Sequence, residues 1–116
     1  MMFSCGTTKV VKTSETLKTS NKLITEYGKI KFFGGTGSSK ADAIIIKGAS
    51  GEMDGIQAEY YYIGYKYGAR GTNWQSGGQA LYSENGKFYD SITFTTLKDG
   101  IAHKIYFDIT DFYGKF

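Results

Sequence analysis

The sequence predicts an α+β fold, in which one helix packs on one face of an antiparallel sheet of about five strands, in the order β-β-α-β-β-β. Two dipeptides, Asn85-Gly86 and Asp99-Gly100, are typical of two-residue hairpin turns, because both central positions of such a turn need positive φ. Residues 52–67 carry apolar side chains at steps of three and four, which indicates a helix. Apolar β-branched segments upstream of this helix supply the remaining strands.

Residues 1–22 are predicted to be a disordered tether ahead of a single α+β domain at 23–116. The tether is rich in Ser, Thr and Lys and has few large apolar side chains, so it cannot bury enough surface to offset the entropy of ordering. Its four lysines and one glutamate give a net charge of 4 − 1 = +3. Residues 23–116 hold ten basic and ten acidic side chains. The basic character of the protein therefore belongs to the tether.

Two strands are predicted before the helix. The first covers 23–33, with a bend or bulge at Gly28. The second covers 41–47, whose Ile44-Ile45-Ile46 run indicates a central strand covered on both faces. The glycine-rich segment between them lacks the Gly-Lys-Ser/Thr of a phosphate-binding loop and leads into a strand, so we expect a hairpin connection.

The helix predicted at 52–67 has Ser50 as its N-cap and Gly68 as its C-terminal cap. Its acidic side chains suit the helix start or a solvated face, and we expect no metal or catalytic role for them; they are Glu52, Asp54 and Glu59. Its large apolar side chains form one stripe, which is expected to face the sheet; they are Met53, Ile56, Tyr60, Ile63 and Tyr67.

Three further strands are predicted to form an antiparallel meander, at roughly 79–84, 87–97 and 101–109. A two-residue turn at 85–86 places Tyr82 opposite Tyr89, and a two-residue loop at 99–100 places Phe94 opposite Ile105. The helix is expected to pack on the apolar face of this meander, which carries Ile92, Phe94, Ile105 and Phe107.

Composition argues against several classes of function. One cysteine cannot build a disulfide framework or a Cys-rich zinc site, and one histidine cannot build a multi-His metal centre. Because residues 23–116 have no net basic charge, nucleic-acid binding is not expected. No cofactor or metal is predicted, and no run of 18 apolar residues indicates a membrane-spanning helix.

The protein is predicted not to be an enzyme. His103 provides the one imidazole, and we expect it to be a partly buried strand residue whose polar atom is satisfied by a hydroxyl or backbone group. A third-ranked hypothesis makes His103 the base of a small hydrolase, together with Asp90 or Asp108. No nucleophile is marked beside it, which places this hypothesis last.

Aromatic side chains exceed what a core of this size needs, with ten tyrosines, eight phenylalanines and one tryptophan. Tyr, Trp and Arg are the residue types that anchor recognition surfaces. A surface that binds a protein or a glycan is therefore predicted in the helix and in the loop after it, at Tyr61, Tyr65, Arg70 and Trp74. The alternative is sheet packing, since a cross-strand pair such as Tyr82–Tyr89 stabilises a sheet by roughly 0.2–1 kcal/mol.

The chain begins Met1-Met2-Phe3-Ser4-Cys5-Gly6, and Phe3-Ser4-Cys5-Gly6 resembles the end of a bacterial lipoprotein signal peptide. In such proteins an apolar stretch leads to a small residue and then to a cysteine, which receives lipid and becomes the mature N-terminus. The resemblance implies lipid on Cys5, attachment to a membrane and a place in the bacterial cell envelope. It extends over these few residues alone, and no family is recognised for 23–116.

Two hypotheses of function lead. The first is an envelope-associated, non-enzymatic lipoprotein domain that binds a protein or glycan through its Tyr/Trp surface and is anchored by lipid on Cys5. The second is a soluble cytoplasmic protein of the inhibitor or immunity type, which binds a partner and carries Cys5 as an incidental thiol.

Overall fold

The computed structural model describes residues 22–115, which contain one helix and one six-stranded sheet. The strands before the helix are β1 (Leu23–Tyr27), β2 (Ile30–Gly34) and β3 (Ile44–Lys47). The helix, α1, spans Glu52–Tyr67 as predicted, and is followed by β4 (Trp74–Glu84), β5 (Lys87–Thr96) and β6 (Ile101–Asp108). The α+β class is confirmed. The tether predicted at 1–22, with Cys5, lies outside the described residues except for Lys22.

The sheet is mixed, not antiparallel as predicted, and its strand order is β1-β2-β3-β6-β5-β4. Most neighbouring strands are antiparallel, but β3 and β6 run parallel, with Ile44 beside Phe107. Parallel neighbours need a long crossover between them. Here α1, β4 and β5 all lie between the two strands in the chain. The element order is accordingly β-β-β-α-β-β-β, with one strand more than expected.

The additional strand arises at the N-terminal end of the sheet. The single strand predicted at 23–33 is a hairpin of two strands, in which Tyr27 pairs directly with Ile30. Gly28 has a φ of 61° and closes this tight turn, so it reverses the chain instead of bending one strand. The connection from β2 to β3 is a hairpin, as predicted, since the two strands pair antiparallel.

The C-terminal meander of β4, β5 and β6 is confirmed. The predicted register between β5 and β6 is wrong. Tyr82 faces Tyr89 as predicted, whereas Phe94 faces His103 and not Ile105. The loop between β5 and β6 has four residues, 97–100, because Thr96 pairs with Ile101. A shift of two residues leaves every side chain on its predicted face.

A side-chain hydrogen-bond pattern explains the longer loop. The carboxylate of Asp99 accepts hydrogen bonds from the Thr96 hydroxyl and from the Ile101 amide, at 3.1 Å in the second case. An Asp that bonds to backbone and hydroxyl groups around it stabilises a local turn. The Asp99-Gly100 pair therefore belongs to a turn, as the sequence indicates, but to a wider one.

The helix packs on the predicted sheet face through only part of the predicted stripe, since Ile63 is fully buried and Tyr60 and Tyr67 are half-buried against the core. Met53 is 76% exposed and Ile56 is 40% exposed. The buried residues of α1 include small ones, and they are Gly55, Ala58, Glu59, Tyr62 and Ile63. Glycine and alanine carry little hydrophobic signal, so a stripe of large apolar residues identifies only part of the buried side of α1.

The core lies between α1 and the sheet and is closed at one end by the C-terminal residues. Its largest apolar side chains are Phe32, Ile44, Ile46, Tyr62, Ile63, Trp74, Ile92, Phe94, Phe107 and Phe112. The amide of Gly114 donates to the Glu52 carboxylate at 2.8 Å, which ties the end of the chain to the start of α1. Among residues 22–115, no helix has both the length and the apolar character needed to cross a membrane.

The helix begins after Gly51, and Ser50 is not the N-cap that the sequence predicts. Asp54 in the first turn accepts hydrogen bonds from the amide and the hydroxyl of Ser50. These bonds lower the pKa of Asp54 below its ordinary value. Glu52 and Asp54 thus serve the start of the helix, as predicted, whereas Glu59 does not share their solvated surroundings.

Candidate ligand-binding cleft

A shallow cleft of about 510 Å³ lies beside the second half of α1. We call it the aromatic cleft, since half of its lining side chains are aromatic. It is lined by Tyr27, Gln57, Tyr60, Tyr61, Gly64, Tyr65, Gly68, Ala69, Arg70 and Trp74. The structure therefore brings together all four residues predicted to bind a partner. The volume falls in the range of about 300–1,000 Å³ that is usual for small-molecule sites.

One wall of the aromatic cleft is a row of residues along α1. Gln57, Tyr61 and Tyr65 follow one another at steps of four, so they share one side of the helix. Gly64 adjoins this row on the helix surface, and a Cβ at this position would meet no atom within 4 Å. The absence of a side chain at Gly64 keeps this part of the aromatic cleft open.

Tyr27, which the sequence analysis does not single out, extends the wall that Tyr61 forms. Its ring stacks on that of Tyr61, with centroids 4.5 Å apart and planes 17° from parallel. Tyr27 ends β1 at the tight turn, and it reaches the helix because β1 is an edge strand. The sequence carried no signal for this contact, since 23–33 was expected to be a single strand.

Trp74 forms the floor of the aromatic cleft and does not lie in an exposed loop as predicted. It is the first residue of β4 and is only 1% exposed. Its indole N–H donates to the carbonyl of Gly68 at 2.8 Å, and its ring stacks on Tyr60 with planes 7° from parallel. Trp74 therefore supports the rings around it and offers a ligand little surface of its own.

Arg70 lies across these rings at the mouth of the cleft. Its guanidinium carbon is 4.4 Å from the centroid of Tyr60 and 5.8 Å from that of Trp74. One of its amino groups donates to the Ser76 hydroxyl at 2.9 Å. Such contacts hold a guanidinium flat and restrict its rotation. The described lining of the cleft includes no Asp or Glu, so Arg70 gives it a positive charge.

A second polar feature lies beneath α1, where Glu59 is fully buried. The prediction that this carboxyl lies on a solvated face was wrong. Neither of its oxygens has a hydrogen-bond partner among the described residues. Burial raises the pKa of Glu59 to about 11, and the nearby Asp90 carboxyl acts in the same direction. Glu59 is therefore a neutral acid at physiological pH.

Asp90 is the polar neighbour of Glu59 on the sheet and is 7% exposed. Its carboxylate accepts a hydrogen bond of 3.4 Å from the side-chain amide of Gln79. Asp90 and Gln79 line a smaller cavity of about 200 Å³ near the start of α1. Glu59 is not among the residues that line this cavity.

The structure does not bring His103 together with either carboxylate of the hydrolase hypothesis. His103 pairs with Phe94 across the sheet, whereas Asp90 pairs with Phe107 further along the same two strands. The imidazole lies 3.1 Å from the Thr96 hydroxyl, which is the kind of partner that the sequence predicts.

Asp108, the other carboxylate considered, accepts hydrogen bonds from the amide and the hydroxyl of Thr110, at 3.0 and 2.7 Å. Within the part of the chain that the structure describes, no three His, Cys, Asp or Glu side chains gather as metal ligands would. Comparisons of the chain with protein-family models, curated proteins and solved structures give no match.

Proposed function

We propose that this chain is a non-enzymatic binding protein of the bacterial cell envelope, anchored by lipid on Cys5, which holds a protein or glycan in the aromatic cleft. The observation that carries the binding role is the convergence of Tyr61, Tyr65 and Arg70 on one concave surface with Trp74 as its floor. Concave sites with aromatic walls and a few fixed polar groups are typical of ligand binding.

The exposed rings supply the binding surface. Tyr65 is 52% exposed, and its ring contacts Tyr62 below it at a centroid distance of 6.0 Å. The stacked pair of Tyr27 and Tyr61 stands beside it. Tyrosine combines a large apolar face with a polar hydroxyl and loses little entropy on binding, since few of its bonds rotate. A ligand with both apolar and hydroxyl groups suits such walls.

The binding role is tested by screening the 116-residue chain and its Tyr65→Ala variant against a glycan array and a panel of purified envelope proteins. We expect a ligand whose affinity falls about tenfold or more in the variant, as for the truncation of an aromatic anchor. Tyr106→Ala is the matched control, because Tyr106 lies on the sheet face opposite α1. Equal loss of affinity in both variants, or no ligand for the unaltered chain, contradicts the proposal.

The envelope location rests on the resemblance around Cys5 and is tested separately. We expect the N-terminal peptide from detergent-extracted membranes of the native cells to begin at Cys5 and to carry the mass of lipid. A Cys5→Ala variant should appear in the soluble fraction. An unmodified peptide that begins at Met1 in the soluble fraction would instead favour a cytoplasmic inhibitor or immunity-type protein that uses the same cleft.

A further inference from the structure

We infer that the aromatic cleft binds an acidic glycan, by placing the carboxylate of a uronic acid residue against Arg70 and its ring against the tyrosines. This inference rests on the proposed function and adds the chemistry of the ligand. The supporting observation is that Arg70 is a cation in an aromatic cleft, and that the described lining of this cleft holds no carboxylate.

The guanidinium of Arg70 is held in position and has N–H groups free to bind an anion. It carries five N–H donors, and the hydrogen bond to Ser76 occupies one of its amino groups. The rings of Tyr60 and Trp74 hold it in place, so a ligand spends little free energy on ordering it. A carboxylate accepts two parallel hydrogen bonds from such a group, which combines strength with a fixed orientation.

The surroundings of Arg70 leave its charge free to bind an anionic ligand, since it forms no ion pair with an acidic side chain of the described residues. Among residues 22–115 the one ion pair joins Lys40 to Glu84, and neither residue lines the cleft. Arg70 is exposed and lies over aromatic rings, and no acidic side chain among residues 22–115 forms an ion pair with it, so its charge is available to a ligand.

The rest of the cleft favours a sugar as the carrier of that anion. A pyranose ring has a face of C–H groups, which packs on an aromatic ring, and an edge of hydroxyls, which exchange hydrogen bonds. Tyr65, which is 52% exposed, offers a ring face, the tyrosines offer phenolic hydroxyls, and Gln57 offers an amide. The open space at Gly64 lets a sugar ring approach the helix backbone. An acidic peptide is the competing occupant.

The test compares uronic acid oligosaccharides with their methyl esters, which keep the sugar and lose the charge. The probes are trigalacturonate, trimannuronate and a hyaluronan tetrasaccharide, each beside its ester, together with a tyrosine-containing oligoglutamate peptide. Binding to the 116-residue chain is followed by calorimetry and by the emission of Trp74, the one tryptophan of the sequence. The ionic strength is kept at about 0.15 M, so that long-range attraction is screened.

We expect at least one acid to bind about tenfold or more tightly than its ester, because the ester cannot accept a charge-assisted pair of hydrogen bonds. Arg70→Gln should remove this difference between the acid and its ester, and Arg70→Lys should restore only part of the difference. Lys87→Gln makes the same change of net charge at the far end of β5 and should preserve the preference for the acid. Circular dichroism confirms that each variant is folded.

The other outcomes overturn the inference in distinguishable ways. Equal binding of an acid and its ester, weakened by Tyr65→Ala, would contradict the acidic ligand and leave the proposed glycan-binding role intact. Binding of the peptide alone, with dependence on Arg70, would replace the glycan with a protein partner. If no probe binds, the acidic-glycan inference is wrong, and the wider screen of glycans and envelope proteins then decides the proposed function.

Discussion

The helix residue Gly55 lies directly against the ring of Phe112, so that a Cβ on Gly55 would overlap the ring carbons. Phe112 comes from the C-terminal segment and is buried with the core. The glycine therefore lets the end of the chain pack across the first half of α1. Gly64, in the second half of the same helix, faces open space.

Gly55→Ala is expected to destabilise the fold, although alanine is the better helix former by about 1 kcal/mol. The added methyl group must displace Phe112, and overpacking of a core typically costs about 1–3 kcal/mol. Urea unfolding followed by Trp74 fluorescence measures the change. Gly64→Ala is the matched control and should stabilise the protein by up to about 1 kcal/mol. Equal effects at the two glycines would contradict the close contact with Phe112.

Glu59 makes the stability of the protein depend on pH. Its ordinary pKa of 4.5 is raised to about 11 in the folded state, mainly by burial and also by Asp90. Below pH 4.5 the carboxyl is protonated in the folded and unfolded states alike, so it imposes no penalty. Above that pH the unfolded chain ionises while the folded chain keeps its proton. The free energy of unfolding therefore falls as pH rises, by about 1.4 kcal/mol per pH unit from this group.

Glu59→Gln is expected to remove this dependence, because an amide has no proton to lose. The variant should gain stability relative to the unaltered chain as pH rises, by about 3 kcal/mol between pH 4.5 and about 7. Urea unfolding at a series of pH values gives the difference between the two proteins. Glu26→Gln on exposed β1 controls for the loss of a surface carboxyl. A difference that stays constant with pH would show that Glu59 ionises normally.

Trp74 should report on its own burial and on the hydrogen bond to Gly68. We expect its emission to be shifted to short wavelength in the folded protein, since the indole is shielded from water. Trp74→Phe should destabilise the fold by about 1–3 kcal/mol, because it leaves the Gly68 carbonyl without its donor and the floor of the cleft with a smaller ring. Stability is measured by circular dichroism, since the variant has no tryptophan. An unshifted emission maximum would contradict the buried position.

Local signals in the sequence were enough to predict the turn at 85–86, the bounds of α1 and the four residues that meet at the aromatic cleft. They were not enough for the pairing of β3 with β6, because turn residues report on strands that are adjacent in the chain. The sequence also does not reveal the burial of Glu59, because its small buried neighbours on α1, Gly55 and Ala58, carry little hydrophobic signal. The place of Tyr27 in the cleft depends on the hairpin that turns at Gly28, which the sequence does not predict.

The opening at Gly64 allows stability and binding to be separated in one substitution. Gly64→Leu should stabilise α1, since leucine is a better helix former by up to about 1 kcal/mol and its Cβ meets no atom within 4 Å. The same side chain should fill part of the aromatic cleft beside Tyr61 and Tyr65 and weaken ligand binding about tenfold or more. Thermal unfolding and calorimetry with the ligand found on the array measure the two effects. Unchanged affinity in a stabilised variant would place the ligand elsewhere on the protein, because the filled cleft leaves no room for a ring to reach the helix.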